Sequence, residues 1–189
     1  MTADCMFKII MFGDGGVGKT TLVNRFLTGI FKSSTSMTIG VDFHIKKLNH
    51  RGKKVSLQIW DFAGEDRFRF LLPSYVIGAS GGLFLYDITR YTSLKSFEEW
   101  LTIFRNGYNM QQPGKSLPIL MIGSKLDLAF KRSVFPEQAS QLAEDQNLAG
   151  YSECSAKTGE NVEEVFIAIT EIMMKRAGLV ENNIQSKII

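Results

Sequence analysis

The stretch GDGGVGKT, residues 13–20, follows directly on the apolar run FKIIMF, residues 7–12. It fits the pattern G-x-x-x-x-G-K-[ST], in which the backbone N–H groups of a glycine-rich turn surround phosphate oxygens. We expect Lys19 to bind the β- and γ-phosphates of a nucleotide and Thr20 to offer its hydroxyl to Mg²⁺. A helix that begins here would point the positive end of its dipole at the same phosphates. The sequence therefore predicts a strand–loop–helix unit that binds phosphate.

Short apolar runs alternate with longer periodic segments along the rest of the chain. Continuous apolar runs predict strands buried on both faces, as in a parallel sheet, at residues 7–12, 81–87 and 118–123. More regular alternation predicts a hairpin of residues 41–48 and 53–60, joined by a turn at NHRG. Apolar residues at helical spacing predict helices over residues 19–28, 93–108, 136–147 and 162–176. Strand followed by helix, repeated, indicates an α/β fold with right-handed crossovers.

Composition excludes several classes of protein. The chain has 189 residues, 44% of them hydrophobic, which is enough for one core, and we place one domain at residues 1–177 and a flexible tail at 178–189. A net charge of +3 without a dense basic cluster argues against a nucleic-acid partner. Cys5 and Cys154 show no metal or disulfide pattern, which favours a reducing compartment. With no signal peptide and no apolar run long enough to span a membrane, we expect a cytoplasmic protein without a transmembrane segment. We also expect it to be a monomer.

Three further loops can be placed near the predicted phosphate site. Asp61 ends a predicted strand, as does the acidic residue that helps to hold Mg²⁺ in nucleotidases of this type. The segments SKLDL, residues 124–128, and CSAK, residues 154–157, follow later strands, and ligands of open α/β sheets bind beyond the carboxyl ends of strands. Asp127 is suited to accept hydrogen bonds from the N1–H and the 2-amino group of guanine, which adenine lacks. Guanine nucleotides are therefore expected, and an ATP-using kinase or ATPase is disfavoured.

These motifs, in this order, resemble the Ras superfamily of small GTPases, most closely its Rab branch. The resemblance covers about residues 6–177 and includes the Rab-like stretches TIGVDF, LQIWD, RFR and YDIT. It implies an α/β fold, the P-loop NTPase G domain: a six-stranded, mostly parallel sheet with one antiparallel strand and five flanking helices. It also implies a switch that binds GTP or GDP with Mg²⁺ and hydrolyses GTP in membrane-trafficking-type regulation.

The resemblance also implies roles for individual residues. The phosphates would be bound by Gly15, Gly16, Val17, Gly18, Lys19, Thr20 and Thr21. Mg²⁺ would be held by Thr20, Thr38 and Asp61. The base and ribose would be bound by Phe31, Ser124, Lys125, Asp127, Leu128, Ser155, Ala156 and Lys157. The catalytic set would be Lys19, Thr38, Gly64 and Glu65, with the Gly64 N–H on the γ-phosphate.

Partner proteins are implied as well: an exchange factor, a GTPase-activating protein and effectors. They would bind the first switch, residues 31–40, the second switch, residues 62–76, and an aromatic triad of Phe43, Trp60 and Tyr75. For the triad, packing in the core is an equally good interpretation. No cysteine follows Cys154 to carry the prenyl groups usual in the Rab branch, and Thr2 excludes the N-myristoylation pattern. Either the protein works without a lipid or it is a peripheral membrane protein whose lipidated C-terminal segment is missing from this sequence.

Two residues depart from the family pattern. Ser124 replaces the usual Asn and can make only one of the two hydrogen bonds of an amide. Glu65 replaces the Gln that orients the attacking water, and an ionised carboxylate accepts hydrogen bonds but is repelled by phosphate. Three consequences are possible: hydrolysis is slow, Glu65 is protonated, or a partner supplies the missing groups, as Rab-type activating proteins can. A further alternative is that Glu65 is simply a solvated residue of the second switch. We expect slow intrinsic hydrolysis, the alternative function being a docking module that holds GTP without useful hydrolysis.

Overall fold

The computed structural model describes residues 3–33, 37–109 and 116–181 of the chain, and six strands in these residues form one sheet. The strands are β1 (Cys5–Phe12), β2 (Val41–His50), β3 (Lys53–Phe62), β4 (Gly81–Asp87), β5 (Ile119–Ser124) and β6 (Gly150–Glu153). Their order is β2-β3-β1-β4-β5-β6, and β2 pairs antiparallel with β3 while the other pairs are parallel. The predicted fold class is confirmed.

Six α-helices flank this sheet in the described residues. They are α1 (Lys19–Thr28), α2 (Leu72–Val76), α3 (Tyr91–Lys95), α4 (Phe97–Asn109), α5 (Pro136–Asp145) and α6 (Val162–Arg176). Two 3₁₀ helices, Asp66–Leu71 and Leu126–Lys131, lie in the loops that precede α2 and α5. The predicted bounds of α1 and α6 agree with the structure. The helix predicted at residues 136–147 ends at Asp145, since Asn147 has a left-handed φ of 53° that a helix does not continue through.

The helix predicted at residues 93–108 is divided into α3 and α4, which makes six α-helices where five were expected. The division falls at Ser96, whose ψ of −2° departs from the helical value. The Ser96 hydroxyl lies 2.8 Å from Asp14 Oδ1 and 3.3 Å from the Ser93 carbonyl oxygen. Serine side chains that bond in this way compete with the helical backbone pattern. The interruption therefore ties the start of α4 to the loop that follows β1.

Two apolar layers cover the two faces of the sheet. Ile9 and Met11 of β1 belong to the cluster under α1 and α6, and Ile10 and Phe12 belong to the cluster under α2 and α4. Successive strand residues point to opposite faces, so a strand buried on both faces must be apolar throughout. Each fully buried side chain of this size contributes about 1.5–3 kcal/mol to folding. The continuous apolar run at the start of the chain thus places β1 at the centre of the molecule and the loop after it at the sheet's edge.

The hairpin and the end of the chain complete the fold. Arg51 and Gly52 have φ values of 51° and 74°, which is the backbone of a two-residue turn between antiparallel strands. Leu179 and Val180 pack against the cluster under α1 and α6. The domain boundary at residue 177 stays a prediction; residues 182–189 of the predicted tail, and Thr2, lie outside the described residues. Within the described residues no helix is both long and apolar enough to cross a membrane.

Candidate functional site

A cavity of about 660 Å³ opens where β1, β5 and β6 end. It is lined by residues 15–22, by residues 31–33 and 37–38 of the first switch and by residues 62, 64 and 65 of the second. Its other wall consists of residues 124, 125, 127 and 128 after β5 and residues 154, 156 and 157 after β6. Of the predicted nucleotide and metal residues, Asp61 and Ser155 are absent from the wall and contact residues that form it. The structure thus brings together predicted residues from five separate segments of the chain.

The phosphate loop, residues 13–20, joins β1 to α1 in a conformation that depends on glycine. A side chain at Gly13 would overlap the carbonyl oxygen of Leu85 in β4. Gly18, with φ of 100°, is the N-cap of α1, and no side chain caps that helix end. The first turn of α1 also contains no acidic residue. Free backbone N–H groups and an uncompensated positive helix end are what an anion such as phosphate binds.

Lys19 is almost entirely buried, with 5% of its surface exposed. Its Nζ donates hydrogen bonds of 2.8 Å to the carbonyl oxygens of Gly13 and Asp14. Burial lowers the pKa of Lys19 from 10.5 to about 8, and the charges of Asp61 and Asp14 oppose the shift. A phosphate beside Nζ would favour the charged amine, so this lysine is poised to bind an anion.

Three side chains predicted to hold a cation bring their oxygen atoms together behind the phosphate loop. Thr20 Oγ1 lies 2.7 Å from Thr38 Oγ1 and 2.5 Å from Asp61 Oδ2, and Thr38 Oγ1 lies 3.5 Å from the same carboxylate oxygen. Asp61 is fully buried, and its Oδ1 has no hydrogen-bond partner in the structure. Burial raises the pKa of Asp61, although the hydrogen bond from Thr20 and the charge of Lys19 act to lower it. A cation here would offset the cost of that buried carboxylate.

The character of this oxygen cluster fits Mg²⁺. Among the described residues, no group of three or more His, Cys, Asp or Glu is placed to hold a metal. Mg²⁺ needs no such cage, because it is usually bound through one or two carboxylates, together with waters and the phosphates of a nucleotide. Thr20 and Asp61 are fixed to α1 and β3, whereas Thr38 belongs to the first switch. The first switch thereby contacts the oxygens that would hold the metal.

Asp127 lies at the centre of the part of the cavity that is predicted to bind the base. Its Oδ1 accepts a 2.7 Å hydrogen bond from the hydroxyl of Ser155, and its Oδ2 lies 3.9 Å from Lys157 Nζ. Ser155 is buried and acts as the support of the carboxylate. Lys125 is held by a 2.6 Å ion pair with Asp87. Burial would raise the pKa of Asp87, but Lys125 and Thr89 together hold it below its ordinary value.

The Ser124 hydroxyl donates to backbone carbonyl oxygens. Its Oγ lies 2.5 Å from the carbonyl oxygen of Val17 and 2.8 Å from that of Tyr86. A hydroxyl has one proton, so it donates to one of these carbonyls at a time. Ser124 therefore ties β5 to the phosphate loop, with fewer simultaneous hydrogen bonds than an amide could make.

The second switch packs directly on the phosphate loop. A side chain at Gly64 would overlap the backbone of Asp14 and Gly15, so the two chain segments touch only because residue 64 is glycine. Glu65 follows on the cavity wall, with 27% of its side chain exposed. Its Oε2 forms a 2.7 Å ion pair with Arg67 Nε, and its Oε1 is buried without a hydrogen-bond partner in the structure. Glu65 is therefore partly buried and ion-paired, whereas the sequence also allowed a fully solvated side chain.

Sequence reasoning missed a network that connects the phosphate loop to the second switch. Asp14 Oδ1 accepts hydrogen bonds from Ser96 (2.8 Å), Trp100 (2.8 Å) and Arg69 (3.3 Å). The guanidinium of Arg69 lies 4.5 Å from the centre of the Trp100 ring and pairs with Glu99 and with Asp66, the second acid after Gly64. These residues are separated by up to 86 positions, and no local pattern indicates them.

A second missed contact lies on the outer side of the phosphate loop. Arg90 Nη2 donates a 2.7 Å hydrogen bond to the Gly15 carbonyl oxygen. Its positive charge is also one of the influences that lower the pKa of Lys19, after burial. The loop therefore has cationic side chains on both sides.

The aromatic triad forms a continuous row of rings. Phe43 and Trp60 have ring centres 4.8 Å apart, and Trp60 and Tyr75 have theirs 5.3 Å apart. Phe43 is 42% exposed, whereas Trp60 and Tyr75 pack partly against the core. The packing interpretation therefore holds for Trp60 and Tyr75, and contact of the triad with partner proteins stays a prediction.

Comparison with known proteins identifies the family of this chain. Residues 8–175 match the Ras family. The chain is 43% identical over 173 residues to the Ras-related protein Rab-19 of Xenopus laevis. The aligned region covers 92% of this chain and 79% of that protein. It is 40% identical over 185 residues to the human Ras-related protein Rab-30, covering 97% of this chain and 88% of the relative. Human Rab-19 is 39% identical over 177 residues. With this match over nearly its whole length, the chain belongs to the Rab branch of the Ras family, whose members are small GTPases that hydrolyse GTP.

Proposed function

We propose that this protein is a guanine-nucleotide-dependent switch that binds GTP and GDP with Mg²⁺, hydrolyses GTP slowly by itself and acts in membrane-trafficking-type regulation. The observation that carries the proposal is the contact of Thr38 with Thr20 and Asp61. A residue of the first switch there reaches the oxygens that would hold the metal. A ligand that binds this cluster can therefore control the position of the whole segment.

The chain's own residues account for nucleotide binding. Lys19 and the N–H groups at the start of α1 would bind the β- and γ-phosphates. Thr20, Thr38 and Asp61 would hold Mg²⁺, which, when bound, offsets phosphate charge. Asp127, oriented by Ser155, would accept hydrogen bonds from guanine, and a nucleobase without those donors would leave a buried acceptor unpaired.

The change between two states would depend on two contacts, those of Thr38 and Gly64. Thr38 would bind through the metal and the Gly64 N–H would bind the γ-phosphate directly, so both depend on that phosphate. After hydrolysis the γ-phosphate leaves, and residues 31–40 and 62–76 lose these contacts. Exchange factors, activating proteins and effectors would then distinguish the two states through the switches and the triad of Phe43, Trp60 and Tyr75.

Slow hydrolysis is proposed because Glu65 stands where an amide would orient water. The Glu65 carboxylate can accept a hydrogen bond from water but cannot donate one to the phosphate. Glu65 also favours a second candidate function, in which the protein holds GTP as a docking module without useful hydrolysis. The intact cluster of Thr20, Thr38 and Asp61 favours the switch, because a passive module has no need of a metal site joined to the first switch.

Single-turnover GTP hydrolysis, with and without a Rab-type activating protein, tests the proposal. We expect a slow intrinsic rate that the activating protein raises by several orders of magnitude, since a supplied arginine typically contributes about 10³–10⁵-fold. Glu65→Ala, loaded with GTP in the same way, serves as the matched variant for the intrinsic reaction. If neither preparation of the wild-type protein hydrolyses GTP, the docking module is the correct function.

The setting of this activity is proposed on the same basis. We propose a monomer in the cytoplasm, with peripheral attachment to a membrane where a lipidated C-terminal segment is present. Fractionation of cells that express the full-length gene product, compared with the 189-residue chain, tests the attachment. Equal distribution of the two forms would contradict it.

A further inference from the structure

Glu65 places a carboxylate on the wall of a site that binds phosphates, which by itself opposes binding. We propose that Arg67 compensates the charge of Glu65 and thereby sets the preference of the site for GTP over GDP. The inference rests on the proposed function, because it assigns a role to Arg67 within the same nucleotide site.

The geometry joins the two side chains closely. Arg67 Nε lies 2.7 Å from Glu65 Oε2, and the guanidinium lies 4.8 Å from the centre of the Phe68 ring. A planar guanidinium can stack on a ring while its N–H groups bond a carboxylate. The ring thus fixes the orientation in which Arg67 meets Glu65. Glu65 lines the cavity, and the pair leaves its Oε1 buried and without a hydrogen-bond partner in the structure.

Neighbouring charged groups are engaged elsewhere. Arg69, on the same 3₁₀ helix, pairs with Asp14, Asp66 and Glu99. Lys19 Nζ faces the carbonyl oxygens of the phosphate loop. In the part of the chain that the structure describes, Arg67 is the one cation within ion-pair distance of Glu65. Compensation of this carboxylate therefore depends on Arg67.

The two nucleotides should respond differently to this pair. GTP has a γ-phosphate, which in the proposed function lies against Gly64 and therefore beside Glu65, and GDP lacks it. An isolated carboxylate would repel the γ-phosphate. The carboxylate–guanidinium pair has no net charge, so it would repel the γ-phosphate less. Because Arg67 is 66% exposed, solvent screens part of the effect, and an exposed ion pair changes an equilibrium by up to about fivefold.

A double-mutant cycle tests the inference. The wild type, Arg67→Ala, Glu65→Gln and the double variant are compared by equilibrium competition against a fluorescent guanine nucleotide, with Mg²⁺ and with GDP or a non-hydrolysable GTP analogue. Arg67→Ala should lower the affinity for the GTP analogue by about two- to fivefold and leave the affinity for GDP unchanged. In the Glu65→Gln background, where there is no charge to compensate, Arg67→Ala should change neither affinity.

Two controls separate this role from general effects. Arg67→Lys keeps the positive charge and should retain most of the preference for the GTP analogue. Arg105→Ala removes the same charge from α4, where Arg105 bonds Gln146, and should leave the preference unchanged. Equal loss of GDP and GTP-analogue binding in Arg67→Ala, or the same loss in the Glu65→Gln background, would overturn the inference. Failure of the wild type to bind either nucleotide would instead overturn the proposed function.

Discussion

Replacement of Asp127 by asparagine should change the base preference of the site from guanine to xanthine. The carboxylate is mostly buried, with 14% of the side chain exposed, and the Ser155 hydroxyl at 2.7 Å fixes its orientation. An amide of the same size can still accept that hydrogen bond through its oxygen, so the local structure should persist. Its NH₂ group, however, would face the N–H donors of guanine.

The size of the effect follows from the hydrogen bonds lost. A hydrogen bond to a charged group contributes about 1.5–3 kcal/mol, and guanine would lose two of them. The loss of about 3–6 kcal/mol corresponds to a fall in GDP affinity of about 10²–10⁴-fold. Xanthine nucleotides carry an oxygen in place of the 2-amino group, which can accept from the new amide, so their affinity should rise.

Equilibrium competition of GDP, xanthosine diphosphate and ADP against a fluorescent nucleotide measures this exchange. Ser155→Ala is the matched variant: it removes the support of Asp127 but keeps the carboxylate, so affinity should fall by about tenfold or less with guanine preference retained. The assignment of Asp127 would be refuted by an Asp127→Asn protein that keeps its GDP affinity within threefold, or by a wild-type protein in which ADP competes as well as GDP.

Three further substitutions test separate parts of the structure. Lys19→Ala should weaken nucleotide binding by at least about 3 kcal/mol, since two charge-assisted hydrogen bonds to phosphate are lost, and an unchanged dissociation constant would contradict the phosphate-loop assignment. Gly64→Ala should force the second switch away from the phosphate loop at a cost of about 1–3 kcal/mol, so that a GTP analogue no longer protects residues 62–76 from hydrogen exchange while GDP still binds. Burial would raise the pKa of Glu171, but hydrogen bonds from His50 and Arg51 hold it below the ordinary 4.5. Its carboxylate therefore stabilises the fold above that pH and loses the effect as the pH falls through its lowered pKa. Glu171→Gln should lower the free energy of unfolding by about 1 kcal/mol at pH 7 in urea titrations, and the difference from wild type should vanish in acid; a difference that persists there would contradict it.

Much of the fold could be predicted from the sequence because local rules decide it. A short apolar run between turn residues favours a strand covered on both faces, and β1 and β4 show this arrangement. The bounds of α1 follow from the glycines on either side of it, Gly18 and Gly29, both of which have left-handed backbones. The division between α3 and α4 could not be predicted in this way, since Ser96 leaves the helical pattern to bond Asp14, a residue of a distant loop.

The sequence by itself determined the composition of the site. The residues of the phosphate loop are consecutive, and their backbone conformation depends on glycines at set intervals. Asp61 lies near the carboxyl end of one strand, and Asp127 and Ser155 follow two others, so a parallel sheet must bring them to one edge.

Only the tertiary structure decided which charges face each other at that edge. Asp14 could bond water as well as Arg69 and Trp100, and Arg67 could point to solvent as well as to Glu65, as far as any local pattern is concerned. Electrostatic interactions depend on the distance between two groups in space and on their burial, and the number of residues between them in the sequence gives neither. The placement of Gly64 against the phosphate loop, with no room for a side chain, creates that proximity and so gives Glu65 its position in the site.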